Sequence, residues 1–255
     1  MNFQDEVNER VQSYEDNTEL QDSAASFLYK SVINKYSYNF SSLGRPIIQY
    51  PQDMVAMQEL IWDVKPDLII ETGIAHGGSL IMNASMLALI DYCDAIKLGE
   101  MLDPNKPRRR VLGIDIEIRE HNRNAINEHP MSNRIDMIEG SSVDSDIIEK
   151  VKELSSNFNN ILVCLDSNHT HEHVLAELEG YASLTTTGSY CVVFDTLIEE
   201  MPDDAYPDRS WGNGDNPKTA VKEYLKDHPE FKIDKSIDNQ LLVSVASDGY
   251  LKKIS

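Results

Sequence analysis

From Asp67 to Asp195 the sequence alternates short apolar runs with longer amphipathic stretches, and this rhythm restricts the fold more than any other feature. The runs are Asp67–Glu71 (DLIIE), Val111–Ile116 (VLGIDI), Ile135–Glu139 (IDMIE), Ile161–Asp166 (ILVCLD) and Tyr190–Asp195 (YCVVFD). They are continuous in Val, Ile and Leu rather than alternating, as strands covered on both faces are, which predicts a parallel sheet. Helical spacing between them predicts helices over Ser79–Cys93, Arg119–Glu128, Asp144–Leu154 and His171–Tyr181. Strand and helix in strict alternation imply one doubly wound α/β domain.

The flanks read differently. Residues 1–45 form polar helical segments with Phe27, Leu28, Val32 and Ile33 at helical spacing, and are expected to make an arm that acts as a lid or as a homo-oligomer contact. The domain proper is taken as 46–255. It opens on Pro46-Ile-Ile-Gln-Tyr-Pro51, an extended approach to a helix carrying Met54, Met57, Leu60 and Ile61. Residues 91–110, with Pro104, Pro107 and three consecutive arginines, read as an exposed loop. At the C-terminal end, Phe231–Ile237 and Leu241–Ala246 around Asp238-Asn239-Gln240 predict an antiparallel hairpin.

Composition excludes several partners. The chain has 23 Lys and Arg against 43 Asp and Glu, a net charge of −20, and such a surface repels nucleic acid and anionic lipid. Three cysteines without C-x-x-C spacing argue against a disulfide framework or a structural zinc site. The acidic opening MNFQDEVNER does not resemble a secretory signal, and no unbroken apolar run approaches the ~18 residues of a membrane span. A cytoplasmic location is expected.

Ligands of open parallel sheets bind beyond the carboxyl ends of the strands; four of the five runs end on an acid there, and the other carries Asp115 beside its last residue. In Glu71-Thr-Gly-Ile-Ala-His-Gly-Gly-Ser79, Gly73 permits a sharp turn and Gly77-Gly78 lets a ligand approach the backbone at a helix start. This is G-x-x-x-G-G with an acid before it, not the G-x-G-x-x-G of dinucleotide sites. The acid suits a cofactor bearing an amino or sulfonium group better than a pyrophosphate. Asp115 is placed to take ribose hydroxyls, Glu117 being the weaker substitute. Ser142 and Asp144 suit either an adenine edge or an ordinary helix cap. Asp166 and Asp195 end neighbouring strands, close enough to share a hard divalent cation such as Mg²⁺. His169, three residues beyond Asp166, is a candidate general base, whereas His171 and His173 read as turn or helix-surface residues. The acidic stretch from Glu199 to Arg209 and the segment Trp211–Lys218 suit either a lid or a connector.

A parallel series closed by a hairpin is the layout of class I methyltransferases. Taken as a set, the segments resemble the cephalosporin hydroxylase family, whose members are largely adenosylmethionine-binding, often Mg²⁺-dependent proteins. The residues that carry the likeness are Pro46–Asp53, Lys65–Gly73 with Gly77-Gly78-Ser79, and Gly113-Ile-Asp115. Further matches are Leu165–His169 with His173-Val174, Gly188-Ser-Tyr190, Asp195-Thr196 and Asn216–Val221. The likeness runs from about Tyr38 to the C-terminus, and is shared with macrolide-sugar and rhamnosyl O-methyltransferases. It implies S-adenosylmethionine as cofactor, its methionine end near Glu71, Gly73 and Ala75, its ribose at Asp115 and its adenine near Ser142 and Asp144. It implies metal ligands at Asp166 and after the fifth strand, a base at His169, and a hydroxylated small molecule, a sugar or natural product, as acceptor. One departure stands out: where the family pattern has Glu-Asp, this chain has Phe194-Asp195. Either Asp166 and Asp195 hold the ion with more water or with a substitute such as Glu199, or the reaction runs without metal. Two rival readings follow from the same residues. One is a hydroxylase or hydride-transfer enzyme, for which Asp166, His169 and His171 or His173 would have to form an iron face. The other is a non-catalytic cofactor-binding homologue.

Overall fold

The computed structural model describes residues 2–202 and 204–255. Its centre is a seven-stranded sheet of order β5-β4-β3-β6-β7-β9-β8. The strands are β3 (Leu68–Thr72), β4 (Arg110–Asp115), β5 (Ile135–Glu139), β6 (Ile161–Leu165), β7 (Tyr190–Val193), β8 (Phe231–Ile233) and β9 (Tyr250–Lys253). A separate hairpin, β1 (Phe40–Ser42) with β2 (Arg45–Ile47), precedes them. The five strands expected from the apolar runs pair in parallel, and β3, β6 and β7 are buried along their whole length.

Helices cover both faces. On one side α3 (Pro51–Val64) and α4 (Gly78–Leu98) pack in a core with Ile69, Val111 and Leu162. On the other, α6 (Ser145–Ser155), α7 (His171–Tyr181) and α8 (Pro217–Tyr224) pack on Ile70, Leu112 and Val163. α5 (Glu120–Asn127) follows β4, and its buried Ile126 anchors it. From β3 the chain moves outward through β4 to β5, then returns to the other side of β3 to lay down β6 and β7. The direction of winding therefore reverses between β3 and β6, where a crevice opens at their carboxyl ends.

Three expectations are corrected. The antiparallel pair at the end exists, but it joins Phe231–Ile233 to Tyr250–Lys253. Residues predicted to continue the first strand instead form α9 (Lys235–Leu241), because Asp234 accepts from the Ser236 backbone N–H and caps a helix there. Beyond Leu241, which ends α9, residues 242–246 are irregular and pinned beneath α3: Ser244 Oγ donates to Asp53 Oδ1 at 2.6 Å and Val245 N to Asp53 Oδ2 at 3.0 Å. Second, residues 91–110 are not wholly a free loop. α4 continues to Leu98, and Arg109 returns to Asp91 and Asp94. Third, α4 is long and apolar enough, by length and composition, to cross a membrane. Its inner face, with Leu80, Ile81, Ala84 and Leu87, is fully buried against the sheet, so it serves as a core helix here.

Of the N-terminal residues, α1 (Phe3–Glu15) buries none of its residues, whereas α2 (Thr18–Ile33) buries Ala24, Leu28 and Ser31. Ser31 Oγ and Tyr50 OH are 2.6 Å apart, which ties α2 to the start of α3.

Candidate active site

The glycine turn lies at the crevice. Gly73 (φ 89°), Ala75 (φ 45°) and Gly77 (φ 79°) are all left-handed. A Cβ on Gly73 would run into the Asp166 carbonyl oxygen, so glycine is what allows the ends of β3 and β6 to approach. Gly78 meets the Pro46 carbonyl in the same way. Asp115, at the end of β4, accepts from the backbone N–H of Ile74 (2.8 Å) and Ala75 (3.1 Å) through one oxygen and from Glu117 N (3.1 Å) through the other.

A second brace comes from residues that sequence patterns did not mark. Arg45 Nη2 donates to the His76 carbonyl (2.6 Å) and to Asn122 Oδ1 (3.0 Å), and Asn122 Nδ2 donates to the Ala75 carbonyl (2.8 Å). Both lie far from the turn in sequence, and no spacing rule links them to it.

Glu71 is 2% exposed and lies under the turn rather than in the open cavity. It accepts from Ser79 Oγ and, at 2.9 Å, from Asn83 Nδ2. Burial outweighs those two bonds and pushes its carboxyl up to about 7. Ser142 is also buried; its Oγ lies 3.1 Å from His173 Nε2, and its carbonyl accepts from Tyr181 OH. Asp144 precedes α6 as its N-cap without a side-chain cap bond. His173 also reaches Ser167 Oγ (3.1 Å) and buried Glu177 (3.5 Å), which makes it more than a surface residue. His171, in contrast, bonds Thr219 and Glu223 on α8.

Asp166, His169 and Asp195 come together, each offering a ligand atom within 4.8 Å of the others. His169 Nε2 is 3.1 Å from Asp195 Oδ2 and 4.0 Å from Asp166 Oδ1. Asp195 adopts φ 57°, and this left-handed step swings its carboxylate off the end of β7. Burial and the neighbouring Asp195 charge raise the Asp166 carboxyl well above the usual range. Buried Gln49 donates to Asp166 Oδ2 at 3.4 Å. Phe194 turns into the core, 7% exposed. Glu199 is directed away: it accepts from Gly214 N (2.8 Å) and Asn216 Nδ2 (2.6 Å) and lies outside the trio. Two carboxylates and an imidazole, beside a buried Gln49 oxygen with no partner, fit a divalent cation. Two histidines and one carboxylate do not share a face among the described residues, so the iron-oxidase arrangement is not formed.

The trio and the glycine turn open on one cavity of about 610 Å³. Tyr29, Val32 and Tyr38 wall it from the N-terminal side, Tyr206 and Trp211 from the other. Trp211 packs on His169 with centroids 5.1 Å apart. The loop from Glu199 to Arg209 thus contributes a wall; position 203 lies outside the described residues.

Strand order, glycine turn and strand-end acids define a class I methyltransferase fold. Solved structures of CmcI share it: one with Mg and SAM superposes with a TM-score of 0.52 at 18% identity, covering 86% of this chain and 78% of that one. An apo form gives a TM-score of 0.51 at 18% identity, covering 86% and 77%. The chain belongs to the rhamnosyl O-methyltransferase/CmcI family, whose model matches residues 34–254. Among similar proteins, a rhamnosyl O-methyltransferase of Mycobacterium leprae is 26% identical over 235 residues, 90% of each chain. One of Mycobacterium tuberculosis is 28% identical over 201 residues, 78% of this chain and 72% of the relative.

Proposed function

We propose that this protein is an S-adenosylmethionine-dependent O-methyltransferase acting on a hydroxyl of a sugar or another polyhydroxylated natural product. The observation that carries the reading is the Asp166–His169–Asp195 trio facing the same cavity as the glycine turn. S-adenosylmethionine would be held along the turn at Gly73 and Ala75, with Asp115 as the candidate for its ribose hydroxyls and Ser142 with Asp144 for its adenine. The acceptor hydroxyl sits over Asp166 and Asp195. The bound cofactor would supply an activated methyl group to the acceptor oxygen, leaving S-adenosylhomocysteine, and the hydroxyl proton would pass to His169 Nε2. Asp195 Oδ2, 3.1 Å from that same nitrogen, would stabilise the imidazolium that forms by accepting its new N–H. The sulfonium is already activated, so positioning in the cavity supplies much of the rate. A divalent cation held by Asp166 and Asp195 would orient the hydroxyl and lower its pKa.

The relatives' rhamnosyl activity makes a methyl rhamnoside the first acceptor to assay. His169→Ala is expected to lose at least about 100-fold in turnover while binding S-adenosylhomocysteine with calorimetric affinity near that of the parent. Turnover unchanged in that variant removes His169 from the proton step; failure to bind the nucleoside at all removes the whole reading.

A further inference from the structure

We infer that His169 changes role with the cation: a borderline divalent ion such as Zn²⁺ or Co²⁺ recruits its Nε2 as a third ligand beside Asp166 and Asp195, whereas Mg²⁺ leaves it free. The inference rests on the proposed role of this site and adds inhibition by such ions. The two carboxylates are 4.0 and 3.1 Å from Nε2. Two ligands at about 2.1 Å from one ion, subtending 90–110°, stand roughly 3.0–3.4 Å apart, so Nε2 and the Asp195 oxygen are already spaced as neighbours on one coordination shell. Phe194 supplies no oxygen where the family pattern has a carboxylate, and Glu199 is held by Gly214 and Asn216. The third corner therefore falls to nitrogen.

Nitrogen changes the preference. Mg²⁺ takes oxygen and keeps its waters, so the two aspartates and solvent satisfy it. Zn²⁺ and Co²⁺ favour imidazole. Among the described residues no Lys or Arg forms a salt bridge with Asp166 or Asp195, although Lys35 and Arg209 line the same cavity. Gln49 gives an independent sign of a ligand: it is 7% exposed, lies against Asp166 and lines the cavity, yet its Oε1 is buried without a partner. Rotation of that amide would bring an oxygen to the ion. His169 Nδ1 is likewise buried without a partner. Metal-bound histidines ordinarily donate that N–H to an acceptor, and lacking one the site binds its ion exchangeably. Because the ion and the acceptor proton use one lone pair, occupancy by Zn²⁺ removes the base.

Binding and turnover test the two parts separately. Zn²⁺ and Mg²⁺ affinities are measured by calorimetry on the parent and on His169→Asn, with Co²⁺ absorption reporting nitrogen ligation. His169→Asn is expected to weaken Zn²⁺ by at least about tenfold and Mg²⁺ by less than about twofold, with the Co²⁺ bands altered. Equal loss for both ions, or unchanged Zn²⁺ binding with unchanged Co²⁺ bands, overturns the inference. Asp195→Asn serves as the second variant and should weaken both ions; unfolding midpoints near the parent's establish that both variants are folded. In the parent, Zn²⁺ at saturating occupancy should abolish methyl transfer that Mg²⁺ supports, and full activity with Zn²⁺ bound through His169 overturns the switch. His169-dependent Zn²⁺ binding in a protein that binds no S-adenosylhomocysteine would sink the methyltransferase reading and leave the ligation standing.

Discussion

Gly73 carries two demands at once, a left-handed backbone and room for the Asp166 carbonyl. Gly73→Ala meets both with a side chain that fits neither. It is expected to cost at least about 2 kcal/mol by urea unfolding and to weaken S-adenosylhomocysteine binding; full stability in that variant would show that the crevice can widen. Asp53 gives a pH-dependent counterpart. It is 1% exposed, and burial raises its carboxyl from 3.8 to about 6 despite bonds from Ser244, Val245 and Tyr250. The folded state therefore holds this proton more tightly than the unfolded chain. The stability this contributes is complete below about pH 4 and is lost as pH rises through about 6, a change of roughly 3 kcal/mol. Asparagine mimics the protonated form at every pH. The stability of the parent relative to Asp53→Asn should thus fall between pH 4 and 7, and a constant difference over that range would refute the assignment.

Elements were legible where one signal dominated. Apolar runs placed the five parallel strands, and His171–Tyr181 emerged as α7 with the expected bounds because Thr170 precedes a clean helical pattern. The C-terminal run failed because Leu241–Ala246 is apolar for a tertiary reason: it packs beneath α3 and bonds Asp53, 191 residues away for Ser244. At the site, Asp166, His169 and Asp195 could be read from strand ends and Gln49 fell inside the matched segment Pro46–Asp53 without a role, whereas Arg45 and Asn122 act through contacts that no local pattern encodes. The three arginines after Pro107 are a similar case. Asp91, 0% exposed on α4, receives Arg109 and Arg134, whose side chains are 13% and 4% exposed. Asp91→Ala leaves two poorly solvated cations facing each other and is expected to cost about 3–5 kcal/mol in urea unfolding. Asp103→Ala, which breaks a 3.9 Å pair between exposed groups, should cost less than about 0.5 kcal/mol. Similar losses in both would mean that the buried network adds nothing.

At the scale of the molecule, the cavity is closed by parts of the chain with unequal commitment to the core. α1 buries no residue and lies beside α9, so its removal uncovers little apolar surface. α2 and the turn after it bring Tyr29, Val32 and Tyr38 to the cavity while Leu28 and Ser31 hold onto Tyr50 and the start of α3. The residues proposed to hold the cofactor lie outside both helices: Asp115 ends β4, Gly73 follows β3 and Asp144 precedes α6. Deleting residues 2–16 should therefore leave both the unfolding midpoint and S-adenosylhomocysteine affinity close to those of the full chain. Deleting 2–34 exposes the faces of Tyr36 and Tyr50 and opens one wall. The protein is then expected to keep measurable nucleoside binding, lose some stability, and lose most turnover through a raised KM for the acceptor. Calorimetry and acceptor titrations separate these effects. If the longer deletion abolished nucleoside binding while the sheet remained folded by circular dichroism, α2 would belong to the cofactor site, and the division of labour between sheet and arm would be wrong.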